Sequence, residues 1–239
     1  MLSEIKKISS LLLSVAFSSI GFIASITVTV LAAREVSSNP LFVGFPNAVG
    51  VGGAVLGTRM IYLISKNNSQ LNALAFTFLI GAFGGAIMFY SLIVDSFVLL
   101  LFGAFILGIG QSATLQTRYA ASFVASEKFK ATALSLAVWF SVFGSVFGPR
   151  MVGSYSNFFE NIFNSELIVG YVIALVGMLF AASSLFIFTS KKSILRSPSN
   201  LESELNNQNS NKKNGNLLSL LLVLNHFTMV VIMSATPLH

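Results

Sequence analysis

The sequence predicts an all-α polytopic membrane protein, and three observations carry that prediction. First, 54% of the 239 residues are hydrophobic and only 9% are charged, with a mean hydropathy of +0.81. Soluble domains are about a quarter charged. No water-soluble sphere hides this much apolar surface, since roughly a quarter to a third of its extended surface stays wet. Second, the apolar residues come in continuous runs of the length that crosses hydrocarbon as a helix, about 20 residues. A membrane β-barrel instead alternates polarity in segments of about 10. Third, the basic residues fall between the runs in an alternating, one-sided pattern. They form no patch interleaved with aromatics, so the net charge of +6 does not point to nucleic acid. With no cysteine in the chain, a disulfide framework, thiol catalysis and a thiolate metal site are all excluded.

Seven runs follow in order. The first, 10–33, continues through Thr27, Val30 and Leu31 to Arg34, too long for the apolar core of a signal peptide, which is about 7–15 residues. The second, 41–64, carries Gly53 and Gly57, a small-xxx-small step of the kind that lets helices approach closely in lipid. The third is 72–94. The fourth, 97–117, is lined by Gly103, Gly108 and Gly110, and the fifth, 131–153, holds Gly144, Gly148 and Pro149. Pro149 is expected to bend the fifth helix near its end. The sixth and seventh are 167–189 and 216–237. All of the 18 glycines except Gly215 lie in or at the ends of these runs. Connections are short apart from 190–215. That stretch is rich in Asn, Ser and Lys and lacks the apolar content to pack, so it reads as a linker. The expected organisation is a six-helix half over 1–189, a cytoplasmic linker over 190–215, and a seventh helix within 216–239.

Orientation follows from charge. Of the 14 Lys and Arg residues, all but Arg34 and Arg150 fall on the N-terminal side of the bundle. The acids divide evenly, with Glu4, Glu127, Glu202 and Glu204 on that side and Glu35, Asp95, Glu160 and Glu166 on the other. Basic loops stay in the cytoplasm. The N-terminus is therefore expected to be cytoplasmic, and the protein a multi-pass resident of the inner or plasma membrane.

Candidate chemistry is sparse. His226, near the middle of the seventh run, can relay a proton or bond across a helix pair. Gln111 can hydrogen-bond a solute or a neighbouring helix. Arg59 and Arg118 read as anchors near the cytoplasmic face, with gating as the alternative. Arg34, Glu35 and Arg150 read as boundary groups. Trp139 and the phenylalanines read chiefly as packing or lipid-facing.

Two stretches carry a family resemblance. One is Leu107-Gly-Ile-Gly-Gln-Ser-Ala-Thr-Leu-Gln-Thr-Arg-Tyr-Ala-Ala121. The other is Ala133-Leu-Ser-Leu-Ala-Val-Trp139 followed by Gly144-Ser-Val-Phe-Gly-Pro-Arg-Met-Val-Gly153. Together they resemble the N-terminal half of a major facilitator superfamily transporter. The Gly144-xxx-Gly148-Pro149-xx-Gly153 run is similar to the helix 5 motif of the superfamily's antiporters, drug–proton antiporters above all. His226, Met229, Met233 and Thr236-Pro237-Leu238-His239 resemble the start of such a transporter's second half. The resemblance implies two six-helix halves, each built of 3+3 inverted repeats, with the linker where 190–215 lies. On that reading the chain is a fragment: the N-terminal half plus helix 7.

The sequence also departs from the family. The loop Ile64-Ser-Lys-Asn-Asn-Ser-Gln70 keeps Lys66 but lacks the family's aspartate and following basic pair. Ala104 stands where proton-coupled members carry an arginine. What the resemblance implies is a secondary transporter that moves a small organic solute, of the drug-efflux kind, by alternating access. Its path or gate would involve Gln111, Gly144, Gly148, Pro149, Gly153 and His226, and its cytoplasmic gating contacts Lys66 and Arg118. Its partners would be the bilayer, the solute and, as a further candidate, a coupling proton. No cofactor, metal, catalytic group or nucleic acid is expected, and no GxxxxGK[ST] loop is present to bind nucleotide. The alternative is a non-transporting seven-helix membrane protein. A retinal protein would need a lysine in the seventh helix, and 216–239 contains none.

Overall fold

A computed structural model describes residues 2–37, 42–163 and 165–189. All of them belong to one compact unit, Met1–Leu195. The expected linker, the seventh helix and His226 lie outside the described residues.

Six long helices account for nearly all of it. They are α1 (Leu2–Val36), α2 (Phe45–Asn67), α3 (Gln70–Ile93), α4 (Phe97–Val124), α5 (Lys130–Phe163) and α6 (Ile168–Thr189), with a short 3₁₀ turn at Glu127–Phe129. Each is long and apolar enough to cross a bilayer. They follow the first six runs of the sequence, but the ends differ. The fourth helix continues seven residues beyond 117 and the fifth ten beyond 153. The α5 extension (Ser154, Tyr155, Ser156, Asn157, then Phe158, Phe159) is too polar to read as membrane-spanning, yet nothing in it stops a helix. At 1.5 Å per residue α5 is about 51 Å long, more than the hydrocarbon layer requires.

Local chemistry sets the boundaries. Pro46 sits in the first turn of α2, where its missing N–H costs no helical hydrogen bond. The α3–α4 turn closes in three residues. Asp95 takes the left-handed conformation (φ 49°), and the Ser96 N–H donates back to the Ser91 carbonyl at 2.9 Å. This is the Schellman arrangement with an aspartate where glycine is usual. Ser96 then caps α4 by accepting from the Leu99 N–H at 3.4 Å.

The packing order shows the architecture. The main packed pairs are α3–α4, α1–α6, α2–α4, α1–α5, α3–α6 and α1–α4. Exchanging α1 with α4, α2 with α5 and α3 with α6 maps this set onto itself. Under that exchange α2–α4 becomes α5–α1, α3–α4 becomes α6–α1, and the other two pairs are unchanged. Equivalent helices are three crossings apart and so run in opposite directions: this is the 3+3 inverted repeat. α1 and α4 form the centre, α3 and α6 back them, and α2 and α5 flank them. Half or more of the apolar stretch is buried in α1, α3, α4 and α6, but only 22% in α2 and in α5.

Glycine makes the close crossings possible. A Cβ added at Gly81 of α3 would lie 2.7 Å from the Cα of Gly110 in α4. Gly84 meets the Leu107 backbone, and Gly108 meets the Gly50 backbone of α2. α4 is thus clasped between α2 and α3, with glycines on both sides. On α1 and α6, hydroxyls add to this. The Ser14 and Ser184 Oγ atoms are 2.7 Å apart, and the Ser14 hydroxyl also lies 2.8 Å from the Ser10 carbonyl. The buried Tyr171 hydroxyl donates to Thr29 Oγ1 at 3.4 Å.

Candidate functional site

The end of the bundle where α1, α3 and α5 begin is called here the near end, and the opposite end the far end. The Gly81–Gly110 crossing lies at the middle of both α3 and α4 and marks the level of the bundle's centre.

Gln111 is the next residue of α4, half-buried at that level. A turn is 3.6 residues. Gln111, Thr114 and Arg118 therefore fall within an arc of about 60° on α4 and run from the centre toward the near end. Leu115 and Tyr119 border the same strip and are 39% and 60% exposed. The strip is polar and unpaired. Thr114 is 4% exposed, and its Oγ1 has no hydrogen-bond partner. Arg118 is half-buried, and its Nε is sealed from solvent without a partner. None of the acids whose side chains are described pairs with this strip. Glu35, Asp95, Glu160 and Glu166 belong to the far end, and Glu127 is paired at 2.7 Å with Lys130 in the α4–α5 connection.

The other expected site residues fall elsewhere. Lys66 is exposed in the last turn of α2. Arg59 is deeper than its sequence position suggests. It lies two residues past Gly57, which meets Ser112 and Ile109 of α4, so it stands near the level of Gln111 and not at the helix end. Sequence alone misses this because α2 begins at Phe45 and ends at Asn67, which moves its midpoint toward Arg59.

Gly144 and Gly148 are both buried against α1. A Cβ at Gly144 would lie 2.6 Å from the Ser19 backbone, and one at Gly148 would lie 3.1 Å from the Ala24 nitrogen. They are the repeat counterparts of Gly53 and Gly57, which press α2 against α4 in the same way. Pro149 is exposed inside α5, which continues as helix beyond it, and Gly153 faces open space. Gly153 lies nine residues after Gly144, about 180° round the helix, and so on the face of α5 opposite the α1 seam. The far end of α5 leans on α3 through the Phe89–Phe163 ring contact at 5.5 Å, backed by Phe159. The structure thus brings Gly144 and Gly148 together on one seam and Gln111 and Arg118 together on one helix face. At the far end, Arg34, Glu35 and Glu166 border an open cavity of about 380 Å³ with Leu31 and Leu167. Thr114 joins Gln111 and Arg118 in a way sequence reading missed; the signal available was its i, i+3, i+7 spacing with them.

Two relatives come from Bacillus subtilis (strain 168). One is described as "Uncharacterized MFS-type transporter YdeG" and is 27% identical over 237 residues, covering 95% of this chain and 55% of the relative. The other, "Uncharacterized MFS-type transporter YddS", is 28% identical over 245 residues, covering 98% of this chain and 56% of the relative. The chain spans about half the length of these curated relatives. No family model matches it, and no solved structure does.

Proposed function

We propose, from the premise that the chain is a major-facilitator-type multi-pass membrane protein, that it forms one wall of a secondary transporter moving a small organic solute by alternating access. The observation that carries this reading is the contrast in burial. The core helices are well buried, whereas the two flanking helices α2 and α5 keep most of their surface unpacked. Flanks of this kind suit a wall that closes against a second wall of about the same size. The extra length of the relatives is also about that of such a wall.

On this reading the path runs along α4 between the flanks, with Gln111 at its midpoint. Binding at the centre of the repeat is where rocking of one wall against another exposes a solute to either side in turn. Gly144 and Gly148 give α5 a smooth seam on α1, and Pro149 loosens its far half by removing one helical hydrogen bond. Lys66 and Arg118 stand at the near end, which the basic residues assign to the cytoplasm. An ion gradient would drive the cycle, and His226 is the candidate proton carrier.

The native chain has no cysteine, so single introduced thiols give an unambiguous test. In native membranes, Gln111→Cys and Leu115→Cys should react with a membrane-impermeant thiol reagent. Phe83→Cys on α3 and Ile187→Cys on α6 should not, although Phe83 and Ile187 are more exposed than Leu115 (62% and 75% against 39%). Water in a path reverses the order that exposure alone would give. If the two α4 positions stay unlabelled, there is no aqueous wall and the transporter reading fails.

A further inference from the structure

We propose that the strip formed by Gln111, Thr114 and Arg118 on α4 binds an anionic oxygen group, a carboxylate or phosphate, so that the solute handled by this wall is an organic anion. The inference rests on the transporter reading and gives its cargo a charge.

Depth is the first argument. Arg118 is eight residues past the Gly110 crossing, which places its Cα about 12 Å from the centre along α4. Half the hydrocarbon thickness is about 15 Å. A guanidinium so placed is costly unless it faces water or an anion. Among the described side chains none supplies an anion: no acid there pairs with it, and its Nε has no partner.

Composition is the second argument. Going inward from Arg118 there is a hydroxyl, Thr114, whose Oγ1 is buried and also without a partner, and then an amide, Gln111. Hydroxyl and amide N–H groups both donate to an anionic oxygen, and guanidinium does so with two parallel N–H groups. Three donors in one arc, with no carboxylate among them, favour an anion and repel a cation. Leu115 and Tyr119 alongside would contact an apolar body. The predicted ligand thus joins an anionic head to a hydrophobic or aromatic frame.

The same chemistry could be met by a lipid phosphate at the near-end surface, so the test separates the two sources. The probe is benzoate, titrated calorimetrically into the full chain in phosphatidylcholine nanodiscs, with neutral benzamide as the comparison. The expected result is saturable benzoate binding at least about tenfold tighter than benzamide, the size of one charge-assisted contact. Arg118→Gln should weaken benzoate at least about tenfold, and Arg118→Lys should restore part of that loss. Gln111→Glu, which adds repulsion without touching the arginine, should abolish binding while helicity is unchanged; it carries the test if Arg118→Gln misfolds. Equal binding of benzamide, or benzoate affinity unaffected by Arg118→Gln and Gln111→Glu, would overturn the proposal. Loss of benzoate binding in phosphatidylglycerol nanodiscs would assign the strip to lipid headgroups and overturn the cargo assignment. Because no flux is measured, this failure is distinct from failure of the thiol test. A labelled Gln111→Cys with no benzoate preference removes only the anion.

Discussion

Gly81→Ala puts one methyl group into the close α3–α4 crossing at the centre of the bundle. Its Cβ would sit 2.7 Å from the Gly110 Cα, where ordinary contact is 3.4–4 Å. The clash is backbone against backbone, so no rotamer change relieves it, and α3 must move away from α4 by most of an ångström. Overpacking of this kind costs about 1–3 kcal/mol. Contact with the Gly110 backbone, which cannot turn aside as a side chain would, places the cost at the upper end. Alanine recovers about 1 kcal/mol of helix propensity over glycine, which leaves a net loss of about 2 kcal/mol. Gly52→Ala in α2 is the control. Nothing lies within 4 Å of a Cβ there, so only the propensity gain of about 1 kcal/mol remains. The two alanines should therefore differ by about 3 kcal/mol in opposite directions. Reversible unfolding in mixed detergent micelles, followed by far-ultraviolet circular dichroism, reads both. Equal stability of the two variants would refute the claim that glycine acts here through close approach.

Two further outcomes follow from local geometry. Ser14→Ala removes the hydroxyl that lies 2.7 Å from Ser184 Oγ across α1 and α6. Interhelical hydrogen bonds in membranes average about 0.6 kcal/mol, and a double-mutant cycle with Ser184→Ala should return a coupling of that size; zero coupling would make the contact incidental. At Asp95, whose φ of 49° suits glycine, Asp95→Val should lose about 1–2 kcal/mol in the same unfolding assay while Asp95→Gly should lose nothing. A well-tolerated valine would show that the turn does not hold that conformation.

How much was legible in the sequence depended on what each feature rests on. Six runs were visible because hydrocarbon demands unbroken apolar length, and helix ends were misplaced where polar residues kept helical conformation, as in Ser154–Asn157. The Gly144–Gly148 step was visible as a packing motif, but its partner was not. Nothing local in Ser19 or Ala24 announces that they receive it. The repeat was invisible as sequence identity because symmetry is kept by small residues at crossings and not by any particular side chain. Gly53 and Gly57 correspond to Gly144 and Gly148 in role while their surroundings share little. The polar strip on α4 was half visible. Gln111 and Arg118 stand out in an apolar run, but Thr114 does not, since threonine usually bonds its own helix, as Thr77 and Thr117 do. Only the lack of such a bond at Thr114 marks it.

The α1–α5 seam gives a graded prediction that separates packing from gating. The two seam glycines differ, with 2.6 Å to α1 at Gly144 and 3.1 Å at Gly148, while Gly153, on the opposite face of α5, has nothing within 4 Å. If the glycines serve only to hold α5 down, alanine should cost most at Gly144, about 2 kcal/mol net. At Gly148 the neighbour needs to shift only a few tenths of an ångström, so the effect should fall within about 1 kcal/mol. At Gly153 the change should stabilise by about 1 kcal/mol through helix propensity. The gating reading adds a second observable. Beyond Pro149, which removes one helical hydrogen bond, α5 carries Val152 and Phe159 partly buried against the core and the Phe89–Phe163 ring contact with α3. Spin labels on Leu31→Cys and Tyr155→Cys, both exposed toward the far end, should therefore show a broad distance distribution that Pro149→Ala narrows. Gly144→Ala should shift its mean, because it levers the whole helix. A narrow distribution that does not respond to Pro149→Ala would leave the stability series intact but show that α5 is a fixed strut and no gate.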